Sequence, residues 1–131
     1  MLVVDASCLF EVVADTRKAE PIRRRLAADT DQAAPHLIDA EVLGVIRRQR
    51  LSGVLDATSS AQAVDDLAGW PGERYGHRSL LARAWELRDA VRSWDALYVA
   101  LAEVLDAPLL TADAKLARAA GPRCPIELVG P

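Results

Sequence analysis

Short apolar runs alternate with stretches of helical period along the chain, and this alternation restricts the fold more than any other feature. "LVV" (Leu2, Val3, Val4) reads as a buried strand ending at Asp5. "QAA" before Pro35 fits a second strand, the turn-rich "GWPGERYGH" has room for a third, and "PLLT" and "IELV" read as two more. Helical patterns fall between them, at residues 7–14, 19–28 with Pro21 in the first turn, 37 to about 51, 59–67 and 79–91. In the last of these Leu80, Ala84, Leu87 and Val91 share one face. "SWDALYVALAEVLDA" is apolar nearly all round, which predicts a central, buried helix. A final helix over 113–120 is stopped by Gly121 and Pro122. Apolar strands without polar alternation, separated by helices, predict a short parallel sheet covered on both faces: an α/β three-layer sandwich.

The 131 residues, half of them apolar and 27% charged, suit one domain, 1–131, with one core. The longest apolar run, residues 96–102, is too short to cross a bilayer, so no membrane role is expected. "MLVVDAS" has no basic flank and meets an acid at position 5, unlike a signal peptide. Cys8 and Cys124 are far apart and form no CxxC pair, which suits a reducing cytoplasm and makes a structural zinc site unlike anything the chain offers. The net charge of −3 excludes a uniformly basic nucleic-acid binder, so any grip on a polyanion must be local.

The acids are placed in a pattern. In "LIDAEVLGVIRR", Ile38, Val42, Val45 and Ile46 share a helical face, and Glu41 sits one turn from Ile38 and Val45, at the edge of that stripe. Asp39 projects to the opposite side, where Arg47 and Arg50 are available to it. A lone Glu at such an edge can snorkel to water. Asp5 ends the first strand with Ser7 two residues on, and Thr111 ends a later strand with Asp113 two residues on. Functional sites in open parallel sheets form outside the carboxyl ends of the strands. Helix capping is the ordinary alternative for each turn. Asp95 opens the most apolar helix, with Val91, Tyr98 and Val99 one turn away, although Ser93 already offers a cap.

Four carboxylates converging on that edge would repel one another. Two unit charges about 5 Å apart cost about 3 kcal/mol at an effective dielectric near 20. Either they take up protons or a cation neutralises them, and hard oxygen donors select Mg²⁺ or Mn²⁺. Such a set suits phosphodiester hydrolysis, and Ser7 and Thr111 would orient the carboxylates. The motifs of rival chemistries, GxGxxG after a strand, GxxxxGK[ST], GxSxG and HExxH, are absent.

With these residues in view, "VVDAS", "LIDAEVLGVIRR" and "SWDALYVALAEVLDAPLLTADAKLARA" closely resemble the PIN-domain ribonuclease toxins of the VapC type, nearly end to end. The resemblance implies a catalytic, metal-holding quartet of Asp5, Glu41, Asp95 and Asp113 supported by Ser7 and Thr111. It also implies Mg²⁺ or Mn²⁺ as cofactor, RNA as substrate (frequently tRNA or rRNA), arrest of translation in the cytoplasm and a homodimer. A small cognate antitoxin would obstruct the acidic pocket, and DNA would be reached only through it. The chain departs from the family pattern at Ala90 and Trp94, where Asn and Tyr are usual. Trp94 adjoins the expected pocket and could stack a base, a buried core position being the plainer reading. Arg48, on nearly the side of Glu41, could steer RNA, whereas a solvated face or an antitoxin contact would explain it equally. His77 reads as a solvent-exposed loop residue. Two other classes fit part of the pattern: a receiver-like signalling module, which needs an acid pair after the first strand and an Asp ending a middle strand, and a PIN-fold binding domain without catalysis.

Overall fold

In a computed structural model of the protein, which describes residues 1–92 and 94–130, the apolar runs form one five-stranded parallel sheet. The strands are β1 (Leu2–Val4), β2 (Gln32–Pro35), β3 (Glu73–Tyr75), β4 (Leu109–Thr111) and β5 (Ile126–Leu128), in the order β3-β2-β1-β4-β5. Every residue of β1 and β4 is buried, which is why these strands show no polar alternation in the sequence. Val3 pairs with Leu109 and Val4 with Leu110. Asp5 and Thr111 therefore come next on adjacent strands, at the carboxyl edge. The chain passes from β1 to β2 on one side, while β4 lies on the other, so this edge is the switch point where open α/β sheets place ligands.

Helices α1 (Ala6–Val13), α2 (Ala19–Ala27), α3 (Leu37–Leu51) and α4 (Ala57–Gly69) pack largely among themselves. A 3-10 turn at Arg78–Leu80 leads into α5 (Leu81–Glu86), which packs on α6 (Asp95–Leu105); α6 in turn lies across β1, β2 and β4. All seven residues from Ala96 to Ala102 are buried, as the apolar circumference of α6 predicts. Asp106 ends α6 in the left-handed region at φ 51°, ahead of Pro108. Among the described residues, no helix is long and apolar enough to cross a membrane. Both cysteines are free thiols.

Four local expectations are corrected. The helix expected over 79–91 is only the 3-10 turn and α5, because the Leu87 N–H bonds back to both Ala84 and Arg83 and tightens the end; Leu80, Leu87 and Val91 are still buried. The last helix, α7, spans only Ala114–Ala117. Beyond it the chain is tied to α6: Glu103 accepts from the Arg123 N–H, and Arg83 bridges Glu103 and the Gly121 carbonyl. Asp39 pairs with Arg74 of β3, at 2.9 Å, rather than with the arginines of its own helix. Arg74 also lies over the Trp70 ring and donates to the carbonyls of Leu67, Trp70 and Gly72. Finally, His77 is not a bystander. Its Nε2 accepts the Leu37 N–H at 3.0 Å and caps α3, whose own flanking residue His36 provides no side-chain cap. The cap proposed at Ser93 falls outside the described residues.

Candidate active site

Asp5 is the buried centre of the site. Its carboxylate accepts the Ser7 hydroxyl at 2.6 Å and the Cys8 N–H at 3.1 Å on one oxygen, and the Thr111 hydroxyl at 2.5 Å on the other. It thus caps α1 and takes part in the site at once, so the two readings of this turn are not alternatives. The hydroxyls are fixed in turn: Ser7 Oγ accepts the Ala112 N–H and Thr111 Oγ1 the Asp113 N–H. This lattice ties the β1 and β4 turns together. Burial pushes the Asp5 carboxyl above its ordinary value, against the opposing pull of those hydrogen bonds.

Asp95 opens α6 and Glu41 stands one turn into α3, on helices from different layers. Glu41 is half-buried and accepts the Tyr98 hydroxyl at 2.6 Å, so it neither snorkels away nor pairs with a cation. Burial raises its pKa, the Tyr98 bond opposes that, and the charge of Asp5 adds to it. Asp95 is pushed up to about 6, first by burial and then by the charges of Asp5, Glu41 and Asp113; Arg92 opposes the shift. Asp113 caps α7 by accepting the Lys115 N–H at 2.9 Å.

All four acids line one open cavity of about 700 Å³, together with Ser7, Tyr98, Arg48 and Trp94. Among the described residues, none of the four is in a salt bridge. The repulsion expected from the sequence acts on Asp95, whose carboxyl is raised by the charges of the other three. Two residues the sequence did not single out, Glu11 and Lys18, also line the cavity; Glu11 lies one turn after Ser7 on α1, a spacing that could have shown it, whereas Lys18 follows α1 and no spacing rule links it to the acids. Trp94 is 60% exposed, which corrects the reading of it as core, since the apolar face of α6 begins only at Ala96.

The carboxylates do not form a closed cage. Among the described residues, no three His, Cys, Asp or Glu side chains stand close enough together to hold an ion. Both oxygens of Asp5, one of Glu41 and one of Asp113 are engaged by hydrogen bonds. An open, all-oxygen set around a cavity with room for several waters still fits Mg²⁺ or Mn²⁺. Mg²⁺ keeps several waters and takes only one or two carboxylates directly. A receiver-like module does not fit: Asp5 stands without a second acid beside it, and β2 and β3 end in Pro35 and Tyr75. Receiver sheets are also ordered 2-1-3-4-5, unlike this one.

The profile of the PIN domain family matches residues 2–122. Ribonuclease VapC1 of Mycobacterium tuberculosis is 41% identical over 128 residues, 97% of this chain and 96% of that protein. Ribonuclease VapC3 of the same organism is 44% identical over 119 residues, 90% and 86% of the two chains. The crystal structure of VapBC2 from Rickettsia felis, bound to a DNA fragment from its promoter, superposes with a TM-score of 0.74 over 98% of both chains, at 14% identity.

Proposed function

Because the chain belongs to the PIN domain family, and to the VapC proteins within it, we propose that it is an endoribonuclease toxin hydrolysing RNA phosphodiester bonds with Mg²⁺ or Mn²⁺. The observation that carries this reading is the shared cavity of Asp5, Glu41, Asp95 and Asp113, where burial and mutual repulsion raise Asp95 against the weaker opposing charge of Arg92. These four residues would hold the cation, which when bound supplies charge neutralisation and activates water for attack on phosphorus.

The chain's own groups divide the work. Ser7 and Thr111 hold Asp5 in one orientation, and Tyr98 holds Glu41. Asp95, with no hydrogen-bond partner among the described residues, is the acid free to turn toward a ligand. Arg48 on the cavity wall would meet the RNA backbone and offset the acids' repulsion of phosphate. On this reading the substrate would be tRNA or rRNA and the outcome arrest of translation in the cytoplasm. A small antitoxin would hold the protein inactive, homodimers would form, and DNA would be met only through the antitoxin.

The test is cleavage of structured RNA by the purified protein. Mg²⁺ or Mn²⁺ should support it, EDTA should stop it, and Asp95→Asn should abolish both cleavage and growth arrest with the circular dichroism unchanged. Cleavage that persists in EDTA, or full activity of Asp95→Asn, would contradict the reading.

A further inference from the structure

A second groove opens on the far side of Trp94. It has a volume of about 450 Å³ and is lined by Leu81, Trp85, Arg88, Trp94 and Leu97 among others. Trp85 and Trp94 are 68% and 60% exposed, far more than large aromatics need to be in a chain with a well-filled core. Arg88 lies over the Trp85 ring at 4.5 Å and is held there by donating to the Trp85 carbonyl at 3.0 Å. Between the groove and the acids runs Arg92, exposed and lining a smaller cavity with Asp95, Asp113 and Lys115. Among the described residues, neither Arg88 nor Arg92 is in a salt bridge.

Three features of this face select its occupant. The groove adjoins the acidic cavity, because Trp94 lines both. Its two exposed indoles lie beside the Arg88 guanidinium, with Arg92 on the adjoining cavity, a combination that binds a strand of bases and phosphates. Arg88 in the groove and Arg92 beside it are opposite in sign to the acids, so this face can hold a polyanion that the acids alone would repel. We propose that this groove is the track for an unpaired flank of the RNA substrate: bases stack on Trp94 and then Trp85, and Arg88 and Arg92 meet the intervening phosphates. The inference rests on the nuclease reading and narrows the substrate to RNA that is single-stranded beside the cleaved bond. A duplex, with its bases turned inward, would offer nothing for the indoles to stack on.

The experiment uses the full chain carrying Asp95→Asn to prevent cleavage, with Mg²⁺ present and two fluorescein-labelled probes: an unstructured RNA oligonucleotide and the same strand in a duplex. Anisotropy should show tighter binding of the single strand. Trp85→Ala should weaken single-strand binding by about fivefold or more. Trp85→Phe should retain most of the affinity, and duplex binding should be unchanged by either substitution. Arg88→Ala should lower the slope of log affinity against log salt by about 0.7. If Trp85→Ala leaves single-strand affinity unaltered, or changes only the sedimentation of the protein as loss of a protein contact would, the track is wrong. Cleavage by the wild-type chain is measured alongside. Metal-dependent cleavage together with an unaltered Trp85→Ala overturns the track alone, whereas no metal-dependent cleavage overturns both proposals.

Discussion

The Tyr98 hydroxyl donates to Glu41 Oε1 at 2.6 Å, joining α6 to α3 across 57 positions of sequence. Each partner sits one turn or less from another feature of the site: Tyr98 follows Asp95 on α6, and Glu41 lies near the His77-capped start of α3. Burial and the adjacent carboxylate push the Tyr98 hydroxyl far above its ordinary pKa, so it remains a donor throughout the working pH range. The bond therefore fixes where one acid points without neutralising it.

Tyr98→Phe isolates that role. The ring stays packed, while a hydrogen bond to a charged group is lost, which should lower stability by about 1.5 to 3 kcal/mol at most, less the share that water recovers at half-buried Glu41. Urea unfolding should show the decrease, and metal-dependent RNA cleavage should fall with it. Equal cleavage in the variant would mean that Glu41 needs no such alignment.

The Asp95 carboxyl makes stability depend on pH with an unusual sign. Its pKa is about 6 in the folded protein against an ordinary 3.8, so between those values the folded chain binds a proton that the unfolded chain does not. In EDTA this group penalises the fold above about pH 6, and the penalty fades as pH falls toward 3.8. The melting temperature at pH 7 in EDTA should accordingly rise in Asp95→Asn, and saturating Mg²⁺ should stabilise the wild type more than the variant. Metal binding should also weaken below about pH 6, where the proton competes for the same carboxylate. A lower melting temperature for Asp95→Asn in EDTA would mark Asp95 as a structural group instead. Asp5 should behave differently: it is buried and accepts three hydrogen bonds, so Asp5→Ala should destabilise the fold and cannot serve as a clean test of chemistry.

The contrast between Asp5 and Asp39 indicates how far a sequence can be read. The strand-to-helix turns, the apolar circumference of α6 and the acids at the carboxyl edge all follow from local period and the rule for parallel sheets, and each is visible in a short window. The Ser7 and Thr111 hydroxyls were legible for the same reason. The partner of Asp39 was not, because Arg74 is a neighbour only once β3 has paired with β2. The short α5 and α7 and the exposed Trp94 were likewise hidden. Tertiary ties through Arg83 and Glu103, and the exact residue at which α6 begins to bury its surface, decide them.

His77 provides another check of a long-range tie. Replacing it with Ala removes the acceptor for the Leu37 N–H. The loss should be about 1 kcal/mol, as for other helix caps, and should be concentrated in α3. Hydrogen exchange at Leu37 should accelerate while α6 amides keep their protection. Unchanged exchange at Leu37 would show that the cap contributes nothing in solution.

The most direct measurement is an anomalous difference map from crystals soaked in Mn²⁺. It should show density inside the cavity bounded by Asp5, Glu41, Asp95 and Asp113, with Asp95 or Glu41 rotated toward it, and none there in Asp95→Asn. Density only outside that cavity, at Mn²⁺ concentrations that support cleavage, would contradict the claim that these four acids are gathered to hold a cation.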